Sequence, residues 1–196
     1  VIGNPPFESM LTDAGKKIDL LAKKEDPKRG ALPDKQAAYL FLEQALNLLR
    51  SNGRLCLIQP SGLLYNRNTQ VFRYVIHRKC KVDSILDFTS IRKLYDEADP
   101  KTVAVLVHAN KPSVDHWINH LTFRRTVSVH ERICFEIDYY DHHRISQAQA
   151  ETDPYVWRTN LLGGGRLIEI SQRLRSLRTL IEYIEQQKGW DYGEGF

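Results

Sequence analysis

Val1-Ile2-Gly3-Asn4-Pro5-Pro6-Phe7 decides how this chain is read. Two short apolar residues and a glycine, the pattern of a strand, run straight into Asn-Pro-Pro-aromatic. The prolines lock φ, remove two backbone donors and push each preceding residue out of the helical region. The strand therefore ends in a rigid loop whose carbonyls stay free to accept hydrogen bonds. Asn4 adds a side-chain carbonyl, so the loop offers two acceptors side by side, and Phe7 places an aromatic face behind them. Such a corner suits a planar ligand carrying an amino group. An ordinary strand exit stopped by two prolines fits the same residues.

Outward from this corner, residues 8–33 are polar and lysine-rich (Lys16, Lys17, Lys23, Lys24, Lys28, Arg29), broken by Pro27, Gly30 and Pro33, with one apolar patch at Ile18-Asp19-Leu20-Leu21. So long a connection in a compact domain is expected to be functional or disordered, hanging over the pocket mouth with its cations either on phosphate or in solvent. Asp34 occupies an N-cap position, and Ala38, Phe41, Leu42, Ala45, Leu48 and Leu49 recur at helical spacing until Asn52-Gly53. Arg54 to Pro60 reads as a parallel strand buried on both faces. A helix through Thr69–Lys79 follows, with Val71, Phe72, Val75 and Ile76 as its stripe, then strands at 82–88 and 102–108. The 13 residues between those strands lack a helical period and favour an antiparallel pair. Strand, helix, strand, helix, strand, strand is the second half of a doubly wound α/β sheet.

Asn4-Pro5-Pro6-Phe7 after a Val-Ile-Gly strand resembles the catalytic motif of the S-adenosylmethionine-dependent adenine-N6 DNA methyltransferases of restriction-modification type. The resemblance continues through Leu-Leu-Arg-Ser-Asn-Gly-Arg, Leu-Ile-Gln-Pro-Ser-Gly-Leu-Leu, Ile-Leu-Asp-Phe, and Lys93-Leu94-Tyr95-Asp96-Glu97-Ala98 ahead of Thr-Val-Ala-Val-Leu-Val, covering residues 1 to about 110. It implies a Rossmann-like sheet with an antiparallel strand near its edge and S-adenosyl-L-methionine as methyl donor. Double-stranded DNA with a flipped adenine would be the substrate, and a restriction or specificity subunit a partner. Asn4, Pro5, Pro6 and Phe7 would be catalytic, Phe7 and Tyr95 would stack on the target base, and Asn4 would also touch the cofactor. The main cofactor loop of such enzymes precedes the Asn-Pro-Pro segment, so this chain alone is expected neither to bind the cofactor appreciably nor to methylate DNA. Similar loops occur in methyltransferases acting on RNA or on protein glutamine.

Size and composition allow one domain and part of another: 196 residues, 42% hydrophobic and 27% charged. The chain opens on a strand valine, which suggests a fragment beginning inside a fold. No secretory signal opens it, and no apolar run approaches the roughly 18 residues of a membrane helix. Cys56, Cys80 and Cys134 are odd in number and widely spaced, which points to neither a disulfide framework nor a zinc site and fits a reducing cytoplasm. Residues 1–113 hold 18 Lys/Arg against 12 Asp/Glu, and residues 114–196 hold 10 against 12. The positive excess thus accompanies the Asn-Pro-Pro half, as a polyanionic substrate would favour.

The expected organisation is a partial catalytic domain at 1–112, a β-rich extension at 113–160, and at 161–196 a helical linker into a truncated target-recognition region that stops at Gly193-Glu194-Gly195-Phe196. His142 and His143 read as a surface pair, and no metal is implied. Gly163-Gly164-Gly165-Arg166 reads as a turn, because the Lys-Ser/Thr of a phosphate-binding loop is missing. Leu167, Ile170, Leu174, Leu177, Ile181 and Ile184 predict one amphipathic helix with its leucines in a core and Arg173, Arg175 and Arg178 facing solvent or a DNA backbone. Two other classes compete: a nuclease, for which Asp83 and Asp87 are the only acids on a strand, and a non-catalytic DNA-binding or subunit-docking module.

Overall fold

A computed structural model describes residues 1–8, 10–92, 94, 95, 99–129, 132–191 and 193. Lys93, Asp96-Glu97-Ala98 and Glu194-Gly195-Phe196 from the segments quoted above lie outside the described residues. The strands are β1 (Ile2–Gly3), β2 (Arg54–Pro60), β3 (Lys81–Asp87), β4 (Thr102–His108), β5 (Trp117–Thr122), β6 (Arg125–Val129), β7 (Arg132–Glu136) and β8 (His142–Ser146). Six of them form one mixed sheet in the order β1-β2-β4-β3-β5-β8, while β6 and β7 pair separately. Strands β1, β2, β3 and β5 run in one direction and β4 and β8 in the other. The short link after β3 explains β4, which folds back and inserts between β3 and β2, so that Val105 is opposite Ile85 on one side and Leu57 on the other. Strands β5 and β8 continue the same sheet beyond β3.

Helices α2 (Ala37–Leu48) and α4 (Gln70–Lys79) cover one face of the sheet. Their buried Leu42, Phe72 and Ile76 join Leu55, Leu57, Val105 and Val107 in one apolar cluster. The stripes are narrower than helical spacing suggests, since Phe41, Leu48 and Val71 are exposed. Nor does Asp34 cap α2. It lies in a 3-10 turn (Pro33–Lys35) at φ 52°, with Lys35 at φ 49°, so the chain there is left-handed and α2 begins only at Ala37. The Asp34 carboxylate accepts instead from Asn68 Nδ2 at 2.6 Å.

Residues 13–25, expected as part of a loose connection, form helix α1 (Asp13–Glu25), capped by the Thr12 hydroxyl accepting from Gly15 N at 3.2 Å. What ties this segment down is Arg29, expected among the solvent- or phosphate-facing cations yet wholly buried. Its Nε and Nη2 donate to Glu43 of α2 at 3.0 and 2.6 Å, and Nη1 donates to Asp19 of α1. The segment is thus held by ionic pairing rather than by an apolar stripe, which is why hydrophobic periodicity does not reveal it.

Towards the C-terminus, α5 (Gln147–Thr152) and α6 (Val156–Leu161) pack Trp157 edge-on against His77 and His120. The three glycines form a turn with φ of 131°, 63° and 55°, a region that β-carbons disfavour. A Cβ on Gly164 would meet the His143 imidazole at 2.8 Å. His143 is therefore half-buried beside this turn, while its neighbour His142 is exposed. The single helix expected over 167–184 is two, α7 (Arg166–Arg175) and α8 (Leu180–Glu185), because Thr179 and Glu182 form a reciprocal capping box that starts a new helix. Leu167, Ile170, Leu174 and Leu177 are exposed rather than packed in a core. Arg175 is fastened to Asp153 at 2.8 and 2.9 Å. No helix among the described residues is long and apolar enough to cross a membrane.

Candidate active site

Asn4 stands at the tip of β1, whose Ile2 and Gly3 pair with Cys56 and Leu57 of β2. The Val1 carbonyl accepts from Cys56 N at 2.8 Å, and beyond the prolines the Glu8 carbonyl accepts from Ala37 N at 2.8 Å. The corner is thus anchored on both sides. Between these anchors Pro5 is buried and Pro6 exposed, and Asn4 itself is exposed with no described hydrogen bond to its side chain. The amide is held out of the scaffold rather than built into it.

Beside Asn4 opens a hollow of about 540 Å³. Its floor is the sheet face opposite the helices, including Cys56, Ile58 and Ala104; its rim carries Asn4, Phe88 and Tyr95, at the edge where β1 and β3 end and β4 begins. The lining is almost entirely apolar, so the Asn4 amide is one of few polar groups there. Tyr95 is fixed by its hydroxyl, 3.1 Å from the Thr102 hydroxyl at the start of β4. Phe7, half-buried, is not among the lining residues; Phe88 and Phe135 supply the other aromatic walls. Phe88 stacks on Phe123 with centroids 4.7 Å apart and planes 9° apart, and Phe135 lies 5.3 Å from Phe88. Sequence reasoning missed these partners. The apolar strand ending at Asp87-Phe88 is a usable local signal for Phe88, whereas Phe135 arrives from a hairpin that no spacing connects to the corner.

Behind Phe88 lies a buried polar cluster. The Asp87 carboxylate accepts from Thr89 N at 2.9 Å, from the Tyr65 hydroxyl, and from His120 Nε2 at 3.2 Å. Its backbone carbonyl accepts from Phe123 N at 2.8 Å, so the same residue ties both stacked phenylalanines. Burial raises the Asp87 pKa, but the hydrogen bonds and charge of its partners outweigh burial and hold it below the usual carboxylate range. The other strand acid, Asp83, sits at a bulge in β3 and pairs with His108 at 2.5 Å. The two acids named for a nuclease are thus each engaged in their own pair, and no cluster of His, Cys, Asp and Glu fit for a metal occurs among the described residues.

Two imidazoles near this cluster are kept neutral. Burial pushes His77 down to about 3, and burial together with His120 and Arg124 pushes His143 down to about 4, from an ordinary value near 6.5. A depressed imidazole stabilises the fold above its unfolded pKa, and the unfolded chain takes up protons first as pH falls. Melting temperature should therefore hold above pH 7 and decline steadily from about pH 6.5 to 4, with His143→Asn flattening that decline. A profile flat over that window in the parent chain would contradict the burial of these rings.

Residues 1–94 match the family model described as Eco57I restriction-modification methylase. That segment, just under half of the chain, is similar to the restriction-modification methylases. The methylase match begins at β1 and runs through β3 to the residue before Tyr95, taking in the corner and most of the hollow. Solved structures share the fold over more of the chain. A type I restriction-modification system methyltransferase subunit from Streptococcus thermophilus superposes with TM-score 0.58 at 15% identity, over 79% of this chain and 35% of its own. A modification subunit of a type I restriction enzyme from Vibrio vulnificus YJ016 gives 0.53 at 14%, over 76% and 33%. The type IIG restriction endonuclease BpuSI gives 0.52 at 17%, over 89% and 21%. The chain therefore spans about a third or less of the length of these structures. No curated protein gives a significant match.

Proposed function

We propose that this chain is the target-base-binding part of a DNA methyltransferase of a restriction-modification system, acting on the N6 amino group of adenine. The observation that carries the reading is the exposed, unbonded Asn4 amide on the rim of an aromatic-walled hollow. An adenine amino group is a poor nucleophile because its lone pair is delocalised into the ring. The Asn4 side-chain oxygen and the Pro5 carbonyl accept its two hydrogens, which favours a more tetrahedral nitrogen. No covalent intermediate or metal is needed, so their contribution is positioning and electrostatics. A base reaches such a hollow only by leaving the duplex. Tyr95, pinned through Thr102, holds it by stacking, with Phe88 as a second wall.

S-adenosyl-L-methionine, when bound, supplies an electrophilic methyl group. An exposed amide at the end of β1 fits a position between donor and base, and Asn4 is the residue here that would touch both. The wider assembly in this proposal includes double-stranded DNA and a restriction or specificity subunit, for which the exposed leucines of α7 offer an apolar surface.

The test uses a duplex with 2-aminopurine in place of the target adenine. Binding of the chain should change its emission, and Tyr95→Ala should abolish most of that change and weaken binding by about 1–3 kcal/mol, the value of one base–aromatic stack. Equal emission changes with and without the Tyr95 ring would refute base capture in this hollow.

A further inference from the structure

A second cavity, of about 350 Å³, lies between the turn after β2 and α6. Its walls carry Arg67, Arg73 and Arg158 together with Tyr65, Asn66 and Tyr155, and no carboxylate lines it. Arg73 is buried, and all its described hydrogen bonds go to neutral oxygens: the Leu63 carbonyl at 2.8 Å, the Asn66 carbonyl at 3.3 Å and the Thr69 hydroxyl at 2.7 Å. Those bonds close the end of α3 (Gly62–Tyr65) but leave the guanidinium charge without a counter-ion. Burial without an acidic partner lowers the Arg73 pKa to about 10, a sign that the site disfavours its charge as it stands. Arg67 is exposed with no ion pair among the described residues, and Arg158 lies over the Tyr65 ring at 5.9 Å. Three arginines lining one cleft that has no carboxylate in its wall form a site for an anion.

The position of the cleft says which anion. Tyr65 forms part of its wall, and the Tyr65 hydroxyl donates to Asp87, the residue before Phe88 on the wall of the hollow. Asn66 and Arg67 follow α3, which leaves the end of β2 at the same end of the sheet as Asn4 at the tip of the parallel neighbour β1. We propose that this cleft binds a backbone phosphate of the DNA strand whose base enters the hollow. The inference rests on the base-capture reading above, and Tyr65 links the two sites: it lines the cleft and bonds Asp87, the residue before Phe88 of the hollow. A phosphate contact fixes the register of the strand without reading its sequence.

The test measures binding of the 196-residue chain to the 2-aminopurine duplex over a series of KCl concentrations, for the parent and for Arg67→Gln/Arg158→Gln. Both arginines are on the surface, so an unchanged melting temperature shows that the variant folds. The variant should bind about tenfold more weakly at low salt and lose about one unit from the slope of log affinity against log salt. An unchanged slope, with the emission response intact, would overturn the cleft and leave base capture standing. A slope that falls in the variant while neither protein alters 2-aminopurine emission would support the cleft and refute base capture. Inorganic pyrophosphate should compete only at concentrations that act as ordinary salt; displacement of DNA by micromolar pyrophosphate would overturn the proposal by assigning the cleft to a small phosphate ligand.

Discussion

In a polypeptide that carries this segment and methylates DNA, Asn4→Ala is expected to cut the methylation rate by about 10²–10³-fold, the usual cost of one preorganised polar group aimed at developing charge. The side chain makes no described hydrogen bond within the fold and is exposed at the end of β1, so its removal takes nothing from the scaffold. Melting temperature should therefore match that of the parent, and DNA affinity should fall far less than the rate, because the ring of Tyr95, proposed above to stack on the base, is untouched. Asn4→Asp tests the electrostatics further. It keeps the acceptor oxygens but adds a negative charge beside a site that must receive a cationic methyl donor, and it should alter donor affinity in a way alanine does not. Methylation in Asn4→Ala within a few-fold of the parent would remove Asn4 from the chemistry and favour a DNA-binding or docking role for the segment.

Glu43→Gln is expected to be the most damaging single change to stability, about 3–5 kcal/mol, because it strips the buried counter-charge that accepts two bonds from a guanidinium water cannot reach. For a chain of this size that is on the order of 10 °C in melting temperature. Arg29 would keep Asp19, which is partly exposed and reaches the opposite end of the guanidinium, so the loss is large without being total. Replacing both members, Arg29→Met with Glu43→Leu, should recover most of the stability, since an apolar pair of similar volume needs no compensation in that site. Chemical denaturation of the three proteins separates the outcomes. A Glu43→Gln loss below about 1 kcal/mol would mean that the pair is solvated in solution.

The readings that survived are those governed by local rules. The strand at Arg54 to Pro60, the helix before Lys79, and the antiparallel return after a short link follow from an apolar run, helical spacing and the reach of that link, although the strand buries only one face fully and is parallel to β1 but antiparallel to β4. The readings that failed depend on partners distant in sequence. Arg29 reads as one more cation in a basic run; its burial is visible only once Glu43, 14 residues later, is on the adjoining helix. Asp34 has the residue type of a cap, yet Pro33 and an Asn68 partner hold it in a left-handed turn. The helix expected over 167–184 has continuous apolar spacing, but Thr179 and Glu182 divide it, and spacing alone does not weigh a capping box against propagation.

The chain's own sequence determined the rigid acceptor corner at Asn4-Pro5, because proline geometry and an amide side chain act without help from elsewhere. It also determined that a sheet would follow, because apolar β-branched runs separated by amphipathic helices have few other ways to bury themselves. Only the tertiary structure decided what stands opposite the corner. Phe88 and Tyr95 share the link between β3 and β4 while Phe135 comes from β7, and they form walls because β4 inserts between β2 and β3 and a hairpin brings Phe135 against Phe88. The packing of Phe88 against Phe123 and Phe135 joins residues 35 and 47 positions apart, a contact that no local window of sequence contains.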